Sequence, residues 1–461
     1  MDVFSALQTA VSGLKAQAFS LDNISGNIAN SATTGFKRID TSFVDLVTEQ
    51  DSAKRQVAGS VAAQSRATNT VQGALTATDT STNMALNGDG FFVVQAKTGS
   101  TGTTPTFSGD LYTRRGDFSV NADGYLVNGA GAYLSGQTLN PASEAVTGTG
   151  PIQISNAILP AKATTALTYS ANLPKSPKTT NSTSATGSGL LGTFADGSDA
   201  RVLSGSGTAT VSAANAQSFV DSSIAGPSLT TYTAAGEAVT VQARWAKVAE
   251  ANAAGTTPDT WNLFYADTTS STGTDTSWKN VGTAFAFNAS GQLTATGATQ
   301  TTIPDLSVNG TVVGNVALNF GSGGLTQYAS VNGTSTTNAL TQDGYASGTL
   351  NSLAVGDDGT IKGTYSNGTT RTLANVGIVR FNNADGLKAE ASGNYAQTAE
   401  SGTALTGLNG TLVVGSNVES SNTDIAAEFS KMIVTQQAYS ANTRVMTTAQ
   451  TMISDLLNVI R

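Results

Sequence analysis

Apolar residues recur at helical spacing near both ends of the chain. Within residues 1–30 and 425–461 they alternate three and four positions apart, which aligns them in one stripe along a helix. The N-terminal stripe contains Phe4, Leu7, Val11, Leu14, Leu21 and Ile28. The C-terminal stripe contains Ile425, Phe429, Met432, Tyr439, Met446, Ile453, Leu457 and Ile460. The pattern predicts two long helices whose stripes, called the seams below, pack against other helices during assembly.

Both predicted helices are weak by intrinsic propensity. Gly13 and Gly26 interrupt the first helix, and each costs about 0.8–1 kcal/mol relative to Ala. The second helix carries five β-branched threonines. Burial of one Leu or Ile contributes about 1.5–3 kcal/mol, so packing against a partner outweighs these penalties. We therefore expect the two ends to order on assembly, while packing of each helix within its own chain stays open as the alternative.

Between the helices the apolar period changes from helical to two. Segments 118–126, 285–293 and 353–361 share one spacing, with two apolar residues two apart, a turn ending in Gly, and a third apolar residue. Such a turn between period-two segments is typical of β-hairpins. The predicted fold class is α+β and mostly β. Its terminal helices form a coiled-coil-like inner domain, and β-rich middle and outer domains are inserted between them.

Composition suggests how the chain is divided. All 9 prolines lie between Pro105 and Pro304, and a Ser/Thr/Gly/Ala-rich stretch covers about 175–215. We predict a helical domain formed by 1–30 with 425–461, and a linker over 31–72. A first β-rich domain then comprises 73–175 with 320–410, a variable outer β-rich domain comprises 176–319, and 411–424 is a return linker.

The inventory of reactive side chains argues against an enzyme. The chain has no His and no Cys, which removes the commonest general base, thiol nucleophiles and the usual zinc ligands. Its net charge is −8, and only three adjacent basic pairs occur, so nucleic acid is not an expected partner. We expect no catalytic, cofactor-binding or metal site. A glycosidase with paired carboxylates remains the enzyme alternative.

Membrane insertion is not expected either. No apolar run approaches the roughly 18 residues that cross a bilayer, and the first residues lack the basic and apolar regions of a cleaved signal peptide. The pair Arg114-Arg115 precedes a predicted strand, and we expect it to be solvated or to form salt bridges between subunits.

Several motifs resemble those of the axial proteins of the bacterial flagellum, the rod and hook proteins. They are the run 21–30 with Thr33-Thr34-Gly35-Phe36-Lys37-Arg38, the run Tyr112-Thr113-Arg114-Arg115-Gly116-Asp117-Phe118, and Val418-Glu419-Ser420-Ser421-Asn422. The resemblance covers about 1–175 and 320–461 and is loose over 176–319. The family-motif and linker residues it assigns are Asn27, Asn30, Thr34, Gly35, Phe36 and Lys37.

The resemblance implies a non-enzymatic structural subunit, and segments such as 342–348 and 365–368 favour the hook type. Such a subunit would polymerise into a hollow curved tube, a universal joint that links rod to filament and transmits motor torque. Implied partners are other copies of the chain, the distal rod protein, the hook cap, the hook–filament junction protein and the flagellar export apparatus. The implied location is extracellular, at the basal body and hook, after type III export without a cleaved signal peptide. A straight rod protein and a filament-junction protein are the structural alternatives.

Overall fold

The computed structural model describes residues 3–46, 60–101, 104–183, 188–204, 207–252, 257–294, 300–320 and 324–459. The chain divides into two compact units. The terminal unit comprises Met1–Ala157 and Leu350–Arg461, and the middle unit comprises Ile158–Thr349.

The helices are α1 (Val3–Ala29), α2 (Ala216–Asp221) and α3 (Ile425–Val459). The strands before residue 158 are β1 (Ile39–Leu46), β2 (Ser60–Ala67), β3 (Leu75–Ala77), β4 (Met84–Asn87), β5 (Phe91–Thr101), β6 (Thr104–Phe107), β7 (Leu111–Thr113), β8 (Phe118–Val120), β9 (Leu126–Asn128), β10 (Ala132–Leu139) and β11 (Val146–Pro151). Those of the middle unit are β12 (Ala166–Asn172), β13 (Leu203–Ser204), β14 (Gly207–Thr208), β15 (Thr210–Ser212), β16 (Ile224–Tyr232), β17 (Ala238–Ala249), β18 (Asp259–Ala266), β19 (Thr276–Phe287), β20 (Gln300–Val308), β21 (Thr311–Asn319), β22 (Leu325–Thr326) and β23 (Thr336–Gln342). The remaining strands are β24 (Leu350–Val355), β25 (Thr360–Tyr365), β26 (Thr370–Val376), β27 (Ile378–Arg380), β28 (Lys388–Ala389), β29 (Asn394–Ala396), β30 (Leu405–Thr406), β31 (Leu412–Gly415) and β32 (Asn417–Glu419).

A long helix lies near each end of the chain, and most of the remainder is strand, so the predicted mostly β fold with terminal helices is confirmed. The Asp424 carboxylate caps α3 by accepting hydrogen bonds from the backbone N–H groups of Ala426 (2.9 Å) and Ala427 (3.1 Å). Helix α1 packs against α3 and against β1 and β2. Those two strands pair antiparallel inside the predicted linker, with Ile39 opposite Ala67. That segment is therefore partly a β-ribbon.

The terminal unit is organised around one large sheet, whose strands differ in length. Its central strand order is β24-β25-β26-β10-β5-β7-β29-β28. Its strands come from both stretches of the chain, because β26 pairs with β10 and β29 pairs with β7. A core of apolar and aromatic side chains covers part of it, including Phe91, Tyr112, Phe381 and Tyr395. Two further ladders, β4 with β31 and β3 with β32, join the outgoing and returning chain.

The three segments predicted as hairpins all turn where expected. Strand β8 pairs with β9, Phe287 bridges Leu293, and β24 pairs with β25. The glycine of each turn has a left-handed backbone, with φ of +83° at Gly124, +76° at Gly291 and +74° at Gly359. Glycine reaches this region without steric cost. The hairpin prediction is confirmed at all three positions.

The middle unit contains two five-stranded sheets that share one apolar core. One sheet has the order β20-β21-β12-β22 with β23 beside β12, and the other has the order β15-β19-β18-β17-β16. Trp245, Trp261 and Phe285 of the second sheet lie in the core with Tyr169 and Phe320. The outer face of the second sheet is covered by Phe219 of α2 and by Leu191 and Phe194.

The described structure differs from the predicted domain division at one point. The prediction placed 158–175 and 320–349 in the first β-rich domain, yet β12 and β23 pair with each other and β12 pairs with β21 in the middle unit. Period-two patterning identifies a strand, but it does not identify the sheet that the strand joins. The predicted helical domain and linkers remain predictions as domains, since they all lie within the terminal unit.

Candidate assembly surface and its anchoring network

The buried residues of α1 are mostly small or polar, with Ile24 as a large apolar side chain among them. Ala10, Ala16, Ser20 and Asn27 are buried, and a Cβ added to Gly13 would lie 2.9 Å from Asn442 Nδ2. On α3 the buried positions are Glu428, Thr435 and Ala449. Small residues let the two helix backbones approach closely. None of the described seam residues, by contrast, is fully buried by the rest of the chain.

The seams flank this contact and are partly exposed. On α1, Leu7, Leu14, Leu21 and Ile28 are half-buried and Val11 is exposed. On α3, Met432, Met446 and Ile453 are half-buried, whereas Ile425, Phe429 and Tyr439 are exposed. Phe429 keeps 50% of its surface open. The side chains of Phe4, Leu457 and Ile460 lie outside the described residues. Half-open seams leave apolar area for other helices, and the assembly role of these residues stays a prediction.

The family-motif residues form a tight turn after α1. Asn30 Nδ2 donates to the Gly26 carbonyl (2.9 Å), and Thr33 Oγ1 contacts Asn30 Oδ1 at 3.2 Å. Gly35 has φ of +68°, and an added Cβ would lie 2.7 Å from Arg115 N. Thr34 and Phe36 are half-buried, and Lys37 is buried. Gly35 is thus required both by its backbone conformation and by the approach of the Arg115 backbone.

Lys37 leads into a buried charge network centred on Glu419. Glu419 is fully buried, and its Oε1 accepts from Lys37 Nζ (2.5 Å) and from Gly73 N (2.8 Å). Its Oε2 lies 3.3 Å from Arg114 Nη1. The Gly35 N–H donates to the Glu419 carbonyl at 2.7 Å. Glu419, in the returning strand β32, therefore joins the segment after α1 to Gly73 just before β3 and to Arg114 just after β7.

The network is electrostatically unbalanced, with two cations and one carboxylate. Burial lowers the pKa of Lys37, the nearby Arg114 lowers it further, and Glu419 opposes both by favouring the charged ammonium. Lys37 Nζ also donates to the Val71 carbonyl at 2.6 Å. Burial, reinforced by the Glu419 charge, raises the pKa of Tyr395 to about 12. Breaking a buried ion pair of this kind leaves an uncompensated charge, so the network fixes the junction strongly.

A second polar cluster joins the two helices to β1. Asn27 exchanges two hydrogen bonds with the Ile39 backbone, both 2.9 Å, and Asn27 Nδ2 also contacts Glu428 Oε2 at 3.1 Å. Lys431 Nζ lies 2.7 Å from Glu428 and 3.0 Å from Asp40. Burial disfavours the charged form of Lys431, but its hydrogen bonds to these carboxylates outweigh burial and raise its pKa.

Sequence reasoning named Lys37 as a motif residue but did not assign its partners Arg114 and Glu419, nor Glu428 and Lys431 of the second cluster, as site residues. Arg114 was expected to be solvated or to pair between subunits, but it is 2% exposed, contacts Glu419 and stacks over the Phe91 ring at 5.3 Å. Arg115 pairs with Asp117 at 2.8 Å. The available signal was that Lys37, Arg114 and Glu419 each lie inside one of the three family-like motifs. Because only 12% of the residues are charged, few charged residues would fall inside these motifs by chance.

The described residues contain no group of three or more Asp or Glu side chains placed to hold a metal ion. Across the same part of the chain, no helix is both long enough and apolar enough to cross a membrane.

Four family models match the chain. "Flagella basal body rod protein" matches residues 7–37, and "Flagellar hook protein FlgE/F/G D1 domain" matches 85–170. "Flagellar basal body protein FlaE D2 domain" matches 205–345, and "Flagellar basal body rod FlgEFG protein C-terminal" matches 414–459. The matches include most of the middle unit, where resemblance by motif was loose.

Relatives and a solved structure agree with these models. The flagellar hook protein FlgE of Brucella abortus is 29% identical over 100% of both chains. That of Escherichia coli K12 is 29% identical over 98% of this chain and 100% of the relative. The crystal structure of Helicobacter pylori flagellar hook protein FlgE2 matches with a TM-score of 0.50 and 15% identity, over 73% of this chain and 98% of the other, and so supports the fold. Taken together with the converging motifs at the Glu419 junction, these matches show that the chain belongs to the flagellar rod and hook protein family.

Proposed function

We propose that this protein is a structural subunit of the bacterial flagellar hook and that it acts by polymerising rather than by catalysis. Full-length similarity to proteins named flagellar hook protein FlgE supports this proposal. In the proposed polymer, copies assemble helically into a hollow curved tube that links rod to filament and transmits torque. The terminal helices form a coiled-coil-like inner layer, and the β-rich parts form the outer layers.

The observation that carries the proposal is that each terminal helix has two sets of residues, one buried within the chain and one partly exposed. The fully buried positions of α1 and α3 are mostly small or polar, while the larger apolar seam residues are left partly open. Phe429 and Tyr439 keep 50% and 41% of their surfaces exposed. Open apolar stripes on a helix pair are an interaction surface, and repeated unlike contacts between copies generate an open helical polymer.

The proposed partners and location follow from the family. The subunit would contact itself, the distal rod protein, the hook cap, the hook–filament junction protein and the export apparatus. It would function outside the cell at the basal body and hook after type III export. A rod protein is the second candidate, and straight rather than curved tubes would favour it.

Two charged substitutions in the seams test the proposal. Leu14→Asp and Met446→Asp should each block tube formation, because each would bury an unpaired carboxylate at a helix–helix contact. Gln8→Asp and Gln437→Asp introduce the same charge at exposed positions of the same helices and should assemble normally. Tubes are scored by electron microscopy after salt-induced polymerisation. The intact β core of each variant is verified by Trp fluorescence and circular dichroism. Normal curved tubes from both seam variants would refute the assignment of assembly to the seams.

A further inference from the structure

The interface between α1 and α3 repeats every seven residues on both helices. The facing positions on α1 are Gly13, Ser20 and Asn27. Those on α3 are Glu428, Thr435, Asn442 and Ala449. Asn27 contacts Glu428, and Gly13 faces Asn442. Fourteen residues separate the two contacts on each helix, so the helices run antiparallel and Ser20 falls opposite Thr435.

Most of this interface does not distinguish one register from the next. If α3 moved by one heptad, Ser20 would face Asn442 and Gly13 would face Ala449. All of these side chains are small enough to pack at a close helix–helix contact, and none requires a charged partner. The small and uncharged residues at these facing positions therefore fit either register.

The connection to α3 also permits the shift. A heptad shift moves a helix by about 10.5 Å at 1.5 Å per residue. This shift carries α3 toward its own N-terminus, so residues 425–431 would leave the helix and form a loop before residue 432, and the connection needs no added length. Asn422 could meanwhile stay in place, with its Oδ1 on Arg38 N at 2.7 Å. The covalent link thus does not enforce the native register.

The contact between Asn27 and Glu428 does distinguish the registers. Glu428 is fully buried, and it pairs with Lys431, which also contacts Asp40 of β1; in the shifted register both residues would leave the interface. Asn27 cannot follow, because its side-chain amide is held by both backbone groups of Ile39. In the native register the remaining amide hydrogen meets the Glu428 carboxylate. In the shifted register that contact is lost and Thr435 takes the place of Glu428.

We propose that Asn27 and Glu428 are positioning residues that set the register in which α1 and α3 pair. This inference concerns the helix pair within one chain and does not depend on tube formation. Polar residues at interfaces of this kind specify register in other helix assemblies at some expense of stability.

Cross-linking of introduced cysteines tests the proposal cleanly, because the chain has no Cys of its own. Ser20→Cys with Thr435→Cys reports the native register, and Ser20→Cys with Asn442→Cys reports the shifted one. Both reporters are placed in the full chain in its soluble form and treated with a short bis-maleimide. Intramolecular products are separated from dimers by gel mobility, so the readout is independent of polymerisation.

With Asn27 and Glu428 intact, the native reporter should dominate. Asn27→Leu should raise the yield of the shifted reporter about tenfold, since a lost contact to a buried charged group is worth at least one decade in equilibrium. Asn23→Leu is the matched control, because Asn23 lies on the same helix but donates to Thr41 Oγ1 at 2.9 Å. It should leave the yields unchanged.

The double variant Asn27→Leu with Glu428→Leu guards against simple misfolding, because apolar replacements of similar volume preserve packing. It should also populate both registers. Exclusive native cross-linking in both variants would overturn the proposal. Loss of both cross-links in the double variant would overturn it too, because the pair would then be needed for helix association rather than for register.

Discussion

Glu419 offers the sharpest test of what anchors the terminal helices to the β core. Glu419→Gln keeps the shape of the side chain but removes the only carboxylate in contact with Lys37 and Arg114 among the described residues. It also turns an amide N–H toward one of two cationic donors. The Lys37 and Arg114 side chains are 1% and 3% exposed, so water cannot replace the lost counterion.

The expected loss of unfolding free energy for the terminal unit is about 3–5 kcal/mol, the range measured when one partner of a buried ion pair is removed. Lys37→Met should cost less, because it leaves a one-to-one pair of Glu419 with Arg114. The lowered pKa of Lys37 agrees with this ranking, since burial outweighs the Glu419 attraction there. Glu390→Gln is the matched control. Its partner Lys388 is 67% exposed, and an exposed pair contributes little that can be measured.

The assay must report on the terminal unit alone, because two units need not unfold together. All three tryptophans lie between residues 245 and 278, so Trp fluorescence follows the middle unit and should not change. Hydrogen exchange read by mass spectrometry follows peptides that cover 33–37, 73–77 and 417–420. A loss of 3–5 kcal/mol lowers protection there by about two to four orders of magnitude. Equal protection in Glu419→Gln and Glu390→Gln would refute the reasoning.

Three other substitutions probe separate parts of the structure. Gly35→Ala should destabilise the terminal unit by at least about 1 kcal/mol in urea unfolding, because φ is +68° and the added Cβ meets the Arg115 backbone at 2.7 Å. Gly26→Ala is the control, and it should instead stabilise α1, because open space surrounds Gly26. The raised pKa of Tyr395, about 12, contributes stability that is present below pH of about 10 and is lost as pH rises through about 12, so Tyr395→Phe should flatten alkaline unfolding of the terminal unit over that window. Phe285→Ala should cost the middle unit about 3–5 kcal/mol, read as an earlier Trp-fluorescence transition, while a late and unchanged transition would contradict the shared-core description.

The sequence alone determined the local elements. Helical spacing identified both terminal helices, and a turn glycine after two alternating apolar residues located three hairpins, each with its glycine at positive φ. These features depend on residues close together in the chain, where sterics and short-range periodicity decide the conformation. The family could be inferred for a related reason, since its motifs are contiguous.

Only the tertiary structure decided which neighbours those elements meet. Periodicity placed Leu14 and Phe429 on apolar stripes, but the fully buried positions of the two helices are mostly smaller or polar residues beside them, such as Gly13 and Thr435. It likewise could not assign β12 to the middle unit, since a strand's pattern is the same in either sheet. Glu419 meets Lys37 across 382 positions of sequence, and burial turns an ordinary surface pair into a structural anchor. Charge burial depends on what surrounds a residue in space, and no local pattern carries that information.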